Sequence, residues 1–320
     1  MIASVRYSPG YTKGYGVCMR VMLLALLIFT SGCDLQRLTV NQTADVLYQG
    51  SVAIDRESDP EFAEDAIPAS LKTLETFLVS APDNAKLLEM LAKGYYSYAF
   101  GFIEADLEQA RVWAAEEEEI SMMSARAVGF YLRSRDYGFD LVGSSDFEKY
   151  ALAGDEAKVK ALLQDMEKEH AAGLFWVGSG WASAINLSKD DSDLVGRLNI
   201  VELIMDRVLE LDENYFDAGV HTFFGVLYGS RPPMFGGDPD RAKVHFEKAM
   251  AKFGTTNHMI PYLYARFWAV QAQDGEFFNT LMRQVATNNP DATPDRRLNN
   301  TLARQRAQFW LDHREELIFE

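Results

Sequence analysis

Apolar positions recur along the chain at intervals of three and four, the spacing that places them on one face of a helix. Leu88, Leu91, Ala92 and Tyr95 form one such stripe: large residues at i, i+3 and i+7, with a small one at i+4. Ala242, Phe246 and Ala249 give the complementary stripe, small-large-small, which receives a neighbouring helix. Ser70, Leu74 and Phe77, ahead of Pro82, repeat it with relaxed sizes, and Val201, Met205 and Val208 repeat it before Leu211-Asp212-Glu213-Asn214-Tyr215. Few stretches alternate apolar and polar for long, and β-branched runs are scarce. Pro and Gly gather at Ala81-Pro82-Asp83, Arg231 to Pro239 and Asn289 to Pro294, which read as joints between helices. Asp238-Pro239 has the form of a helix start, N-cap then first position. Gly236-Gly237 before it lacks the further glycines and lysine of a phosphate loop and reads as a turn. No Ser-rich or Pro-rich linker divides the chain. The pattern predicts an all-α fold of stacked antiparallel helical hairpins, one domain over residues 41–320. An irregular bundle sharing the spacing by chance is the alternative.

The N-terminus reads as an address. Residues Val21 to Thr30 form a ten-residue apolar run, too short to span a bilayer, which needs about 20. Lys13 and Arg20 precede it and Ser31-Gly32 follow it, the layout of a secretory signal peptide. Phe29-Thr30-Ser31-Gly32-Cys33 resembles a lipobox, the bacterial lipoprotein processing site, with Thr30 where Leu is commonest. The expectation is a signal peptide over 1–32, translation starting at Met1 or Met19, acylation of Cys33 and a short tether over 33–40. Several acyl chains hold a membrane stably at about 0.8 kcal/mol per buried CH₂. Asp34 resembles an inner-membrane retention signal in sorting of the enterobacterial kind. A plain secreted protein with an incidental cysteine is the competing reading.

Composition narrows the function. The net charge of −16 would repel nucleic acid. The two cysteines are Cys18 and Cys33, so the rest of the chain can hold neither a disulfide framework nor a thiol nucleophile. The five histidines, His170, His221, His245, His258 and His313, are scattered, with no pair at metal-ligand spacing. There is no G-x-S-x-G elbow. Glu116 to Glu119 read as a solvated helix face rather than an acid-base pair. The expectation is a protein that is no enzyme and uses no cofactor or metal.

The stripes described above follow the spacing of tetratricopeptide repeats. Four stretches carry a more specific likeness. They are Ser58-Asp59-Pro60-Glu61-Phe62 with Ala66-Ile67-Pro68, Leu71, Leu74 and Glu75; Leu87-Leu88 with Gly94-Tyr95-Tyr96-Ser97-Tyr98-Ala99-Phe100; Phe175-Trp176-Val177-Gly178 with Trp181-Ala182-Ser183-Ala184-Ile185; and Arg231-Pro232-Pro233-Met234-Phe235-Gly236-Gly237 with Ala242, His245-Phe246 and Arg297-Leu298-Asn299-Asn300. In this order, behind a lipobox, they resemble the TRAP transporter T-component (TatT) family over nearly all of 40–315. The resemblance implies a periplasmic lipoprotein beside a TRAP transporter. It implies binding to the soluble substrate-binding protein, assembly into a homo-oligomer, and a capacity to hold or pass an apolar ligand.

Two regions stand out as contacts. Trp176 and Trp181 flank Gly178-Ser179-Gly180. Either they line an apolar channel with their N–H groups turned to a ligand, or they fill the core between two helices. Arg231, Met234 and Phe235 form a loop after two prolines that either meets a partner or folds back on its own helices. A helical-repeat scaffold of envelope assembly, with no small-molecule ligand, is the alternative function. A continuous apolar cavity would separate the two.

Overall fold

The computed structural model describes residues 35–319. The expected signal peptide, Cys33 and Asp34 lie outside the described residues. Among the described residues there are helices and no strand. Residues 35–50 form α1, so the helix already includes 35–40, where the sequence suggested a tether. Val40 and Ala44 explain this: both are buried against Ala81 and Leu87.

Local signals set several of the helix starts. After the short α2 (Val52–Asp55), α3 (Pro60–Ser80) opens on Asp59, whose carboxylate accepts from the Glu61 and Phe62 amides. Asn84 caps α4 (Ala85–Tyr98) in the same way through the Leu87 amide. The chain then runs without a break through a π-helical turn, Ala99–Ile103, into α5 (Glu104–Val112). The α6 helix (Glu117–Val142) begins in the exposed Glu116–Glu119 run, where acidic side chains face the positive end of the helix dipole. There follow α7 (Ser145–Ala153), α8 (Glu156–Gln164), α9 (Ala171–Leu187), α10 (Ser192–Val195), α11 (Leu198–Leu211) and α12 (Tyr215–Gly229). Asp238 caps α13 (Pro239–Phe253) by accepting from the Arg241 amide at 3.0 Å, with Pro239 at the first position. A second π-helical turn, Tyr264–Ala269, joins α14 (Met259–Leu263) to α15 (Val270–Ala272). The last long helices are α16 (Gly275–Thr287) and α17 (Arg297–Asp312).

Packing runs in sequence. Helix α3 packs on α4, α4 on α6, α6 on α9 and α9 on α11; then α12 packs on α13 and α16 on α17. The α4 stripe of Leu87, Leu88 and Leu91 is fully buried, worth roughly 1.5–3 kcal/mol for each side chain. Helices α6 and α9 approach closely because glycines stand at their contact. A Cβ on Gly138 would lie 2.7 Å from the Val177 nitrogen, and one on Gly180 would lie 2.6 Å from the Tyr131 carbonyl.

The row of helices closes on itself. Helix α17 reaches back to α2 and α3. Arg297 donates to the Arg56 carbonyl at 3.1 Å, and Arg56 donates to Asp295 at 2.6 Å. Arg306 of α17 pairs with Glu108 of α5 at 2.9 Å, both largely buried. The space inside this closure is the cavity described next.

Candidate functional site

A cavity of about 1150 Å³ runs through the middle of the molecule, lined by residues from α1 to α17. Its size lies just above the usual range for small-molecule sites. All four stretches that carry the family likeness reach it: Ile67; Tyr96, Ser97 and Phe100; Phe175 and Trp176; and Arg231, Phe235 and Asn299. Segments far apart in sequence thus share one place in space.

The two π turns help form the cavity, since Phe100 and Phe267 both line it. A π turn widens the helix by one residue and leaves carbonyls off the regular ladder. Arg306 takes one of them, donating from Nη1 to the Phe100 carbonyl at 3.0 Å.

Trp176 lies at the centre of the aromatic wall, fully buried. Its ring meets Tyr96 at 5.6 Å, Phe175 at 4.9 Å and Phe216 at 4.9 Å between centroids. Its N–H does not point at a ligand: it donates to the Tyr215 hydroxyl at 3.0 Å. Tyr215 in turn donates to Glu89 at 2.8 Å, and Tyr48 of α1 donates to the same carboxylate at 2.9 Å. Burial, then the Glu89 charge, pushes the Tyr215 hydroxyl far above its ordinary range, so it stays a donor. Trp181 points elsewhere. It sits in the core against Phe139, beneath Arg135, and is not part of the cavity wall. The glycines between the tryptophans serve helix contact instead: Gly178 faces Met205, and Gly180 faces the α6 backbone.

Phe216 owes its position to an unusual backbone. Phe216, Asp217 and Ala218 all have φ near +50 to +60°, three left-handed residues in a row without a glycine. Each costs of order 1–3 kcal/mol unless its surroundings fix it. The fixing comes from the C-terminal segment. Arg296 clamps both carboxylate oxygens of Asp217, Nε donating at 2.6 Å, and Asn257 donates to the same group at 3.0 Å. Asn299 and Asn300 hold this arrangement: Asn299 donates to Asn257 at 2.9 Å, and Asn300 accepts from the His258 amide at 2.9 Å. The Leu298-Asn299-Asn300 motif is therefore a latch.

The loop residues Met234 and Phe235 are 82% and 66% exposed. Phe235 also lies at the rim of the cavity, beside Arg231. Arg231 donates from Nε to the Leu227 carbonyl at 3.1 Å and stands 3.7 Å from Glu202. A Cβ on Gly237 would fall 1.7 Å from the Arg231 carbonyl, so only glycine lets the loop fold this way.

Two features went unread in the sequence. His221 and His245, 24 residues apart, meet with their Nδ1 atoms 2.9 Å apart, and His221 Nε2 lies 3.3 Å from Glu213. Their separation in sequence hid the pair. Among the described residues no group of three or more His, Cys, Asp or Glu is placed to hold a metal. The second is Glu104, a carboxylate lining the cavity directly after the apolar run Phe100 to Ile103; that abrupt change of character was the signal available. No helix among the described residues is long and apolar enough to cross a membrane.

The family model for the TRAP transporter T-component matches residues 56–318. A protein of Treponema pallidum (strain Nichols), described only as uncharacterized, is 21% identical over 314 residues, spanning 92% of this chain and 96% of its own. With the match running from α3 to the end of α17 and beyond, the chain belongs to the TRAP transporter T-component family, whose members are associated with TRAP transporters.

Proposed function

We propose that this chain is a periplasmic lipoprotein, anchored through acylated Cys33, that binds the substrate-binding protein of a TRAP transporter and holds an apolar ligand in its central cavity. The observation that carries the ligand half is the cavity itself, walled by Trp176, Phe175, Phe216 and Phe267. A scaffold with no small-molecule partner has no use for an aromatic-walled cavity of about 1150 Å³. Family membership supports the partner half. The exposed Met234 and Phe235 beside Arg231 supply apolar anchors next to a cation, a composition suited to a protein interface. We also propose that 41–320 acts as one domain and that the protein assembles with copies of itself, which light scattering on the purified protein would test.

The experiment is a pull-down of the full-length chain from detergent-solubilised membranes. It should recover a TRAP substrate-binding subunit, and Met234→Ser with Phe235→Ser should weaken that recovery. Recovery of outer-membrane assembly proteins alone would reject the reading in favour of the scaffold. Cys33→Ser should leave the chain unprocessed or release it into the soluble fraction; lipid-labelled membrane protein from that variant would refute the anchor.

A further inference from the structure

The N-terminal helix leaves almost no slack between the body of the protein and Cys33. Helix α1 is fixed along its length. Val40 and Ala44 are buried against Ala81 and Leu87. Gln36 donates to Ser80 at 3.0 Å, and Arg37 pairs with Asp83. Further on, Asn84 donates to Asn41 at 2.8 Å and Lys86 to Asp45 at 2.7 Å. Tyr48 ends the series on Glu89 at 2.9 Å. The first described residue, Leu35, thus already belongs to a helix packed on α3 and α4.

Leu35 follows Cys33 by two residues, a span of at most about 7 Å. The polar layer on each side of a bilayer is roughly 5–8 Å deep. An acyl chain carried by Cys33 therefore brings the first turn of α1 to the headgroups.

The surface at that place suits lipid. A helix turns by about 100° per residue, so Leu35 and Leu38 point away from the buried Val40 and Ala44. They are 64% and 54% exposed. Val79, in the last turn of α3, is 84% exposed, the most exposed large apolar side chain among the described residues. The Gln36–Ser80 hydrogen bond sets it beside the first turn of α1. Charge agrees. The chain carries −16 overall, which an anionic lipid surface repels. Along α1 the described acids are matched, Asp83 by Arg37 and Asp45 by Lys86.

We propose that this corner, the first turns of α1 with the end of α3, is seated in the headgroup layer of the bilayer, where Leu35, Leu38 and Val79 meet lipid. This rests on the reading of Cys33 as acylated and adds an orientation to it: the body is held flush on the membrane, one face down, instead of swinging on a tether. The bilayer takes the patch ahead of a second copy of the chain because the anchor point lies within two residues of it.

The test uses the full-length chain, lipidated in the cell and reconstituted in vesicles of phosphatidylethanolamine and phosphatidylglycerol. Uptake of radiolabelled palmitate reports the anchor, and an environment-sensitive nitrobenzoxadiazole label reports the face. Leu38→Cys and Val79→Cys place the label on the patch. Val244→Cys places it on an exposed site of α13, which packs on α12 and α14. With Cys33 acylated and Cys18 removed with the signal peptide, the introduced thiol is the one left to label. The two patch labels should emit to the blue of the Val244 label and be quenched by nitroxide-bearing lipid, while the Val244 label keeps its emission in water and is not quenched. Palmitate-labelled protein in which either patch label stays in water overturns the proposal and leaves the anchor standing. Protein that takes up no palmitate overturns both. Blue-shifted patch labels that nitroxide lipid leaves unquenched place a second copy on the corner and overturn the proposal. If Leu38→Cys melts below the wild type, Val79→Cys, at the more exposed site, decides alone.

Discussion

A side chain's chemistry here depends on what it meets across the fold, and the His221–His245 pair shows how. Burial, first of all, holds both rings below the ordinary histidine range, and His245 is lowered to about 4. His221, Lys248 and Arg241 add like charge around His245, while Glu213 partly offsets the effect on His221. The folded state therefore keeps both rings neutral where the unfolded chain, titrating near 6.5, binds protons. Stability from this pair is complete above about pH 6.5 and is lost as pH falls toward 4. Melting followed at pH 7.5 and pH 5 should show a larger drop for the wild type than for His245→Gln. Equal drops in the two proteins would mean that the pair does not titrate between those limits. Nothing in the sequence joins residues 221 and 245; only the packing of α12 on α13 does.

At the level of the helix, sequence and structure agree best where large and small residues alternate on one face. Leu88, Leu91, Ala92 and Tyr95 are buried together, as are Val201, Met205 and Val208, and Ala242, Phe246 and Ala249. In α3 the stripe is displaced. Ala63, Ile67 and Leu71 are the buried residues, while Ser70, Leu74 and Phe77 are half-buried at its flank. Pattern matching with relaxed sizes could not choose between two adjoining faces. The π turns were not legible either, because a π turn depends on which partner takes the spare carbonyl, and Arg306 is some 200 residues away from Phe100. Two substitutions test the packing. Ala249→Leu inserts a side chain where Ala249 meets Ala218 and Ile260, and should cost about 1–3 kcal/mol in urea unfolding. Gly180→Ala should cost at least as much, since its Cβ would meet the α6 main chain at 2.6–2.9 Å and a backbone cannot swing aside. A wild-type melt from either protein would place that residue away from a helix contact.

For the whole molecule, closure of the helical row is the feature the sequence hid most fully. Periodicity reports which face of a helix is apolar, not which distant helix covers it. The Trp176 reading shows the same limit: the residue does reach the cavity, but its N–H is spent on Tyr215, 39 residues on. Closure depends heavily on Arg306. Arg306→Met would leave Glu108 without its ion-pair partner, and should cost about 3–5 kcal/mol, read from urea unfolding. Arg306→Met combined with Glu108→Leu should recover part of that loss. If the double variant is no more stable than the single one, the pair is not coupled and something else holds α17 to α5.

The clamp on Asp217 also dictates an order of events. Arg296 is synthesised 79 residues after its partner, and Asn299 and Asn300 later still. A nascent chain that has already released α3 to α12 from the ribosome lacks the Asn257 and Arg296 hydrogen bonds that hold Asp217 in its left-handed turn. The clamp that fixes the aromatic wall beside Trp176 is therefore completed only when the last two helices have been made.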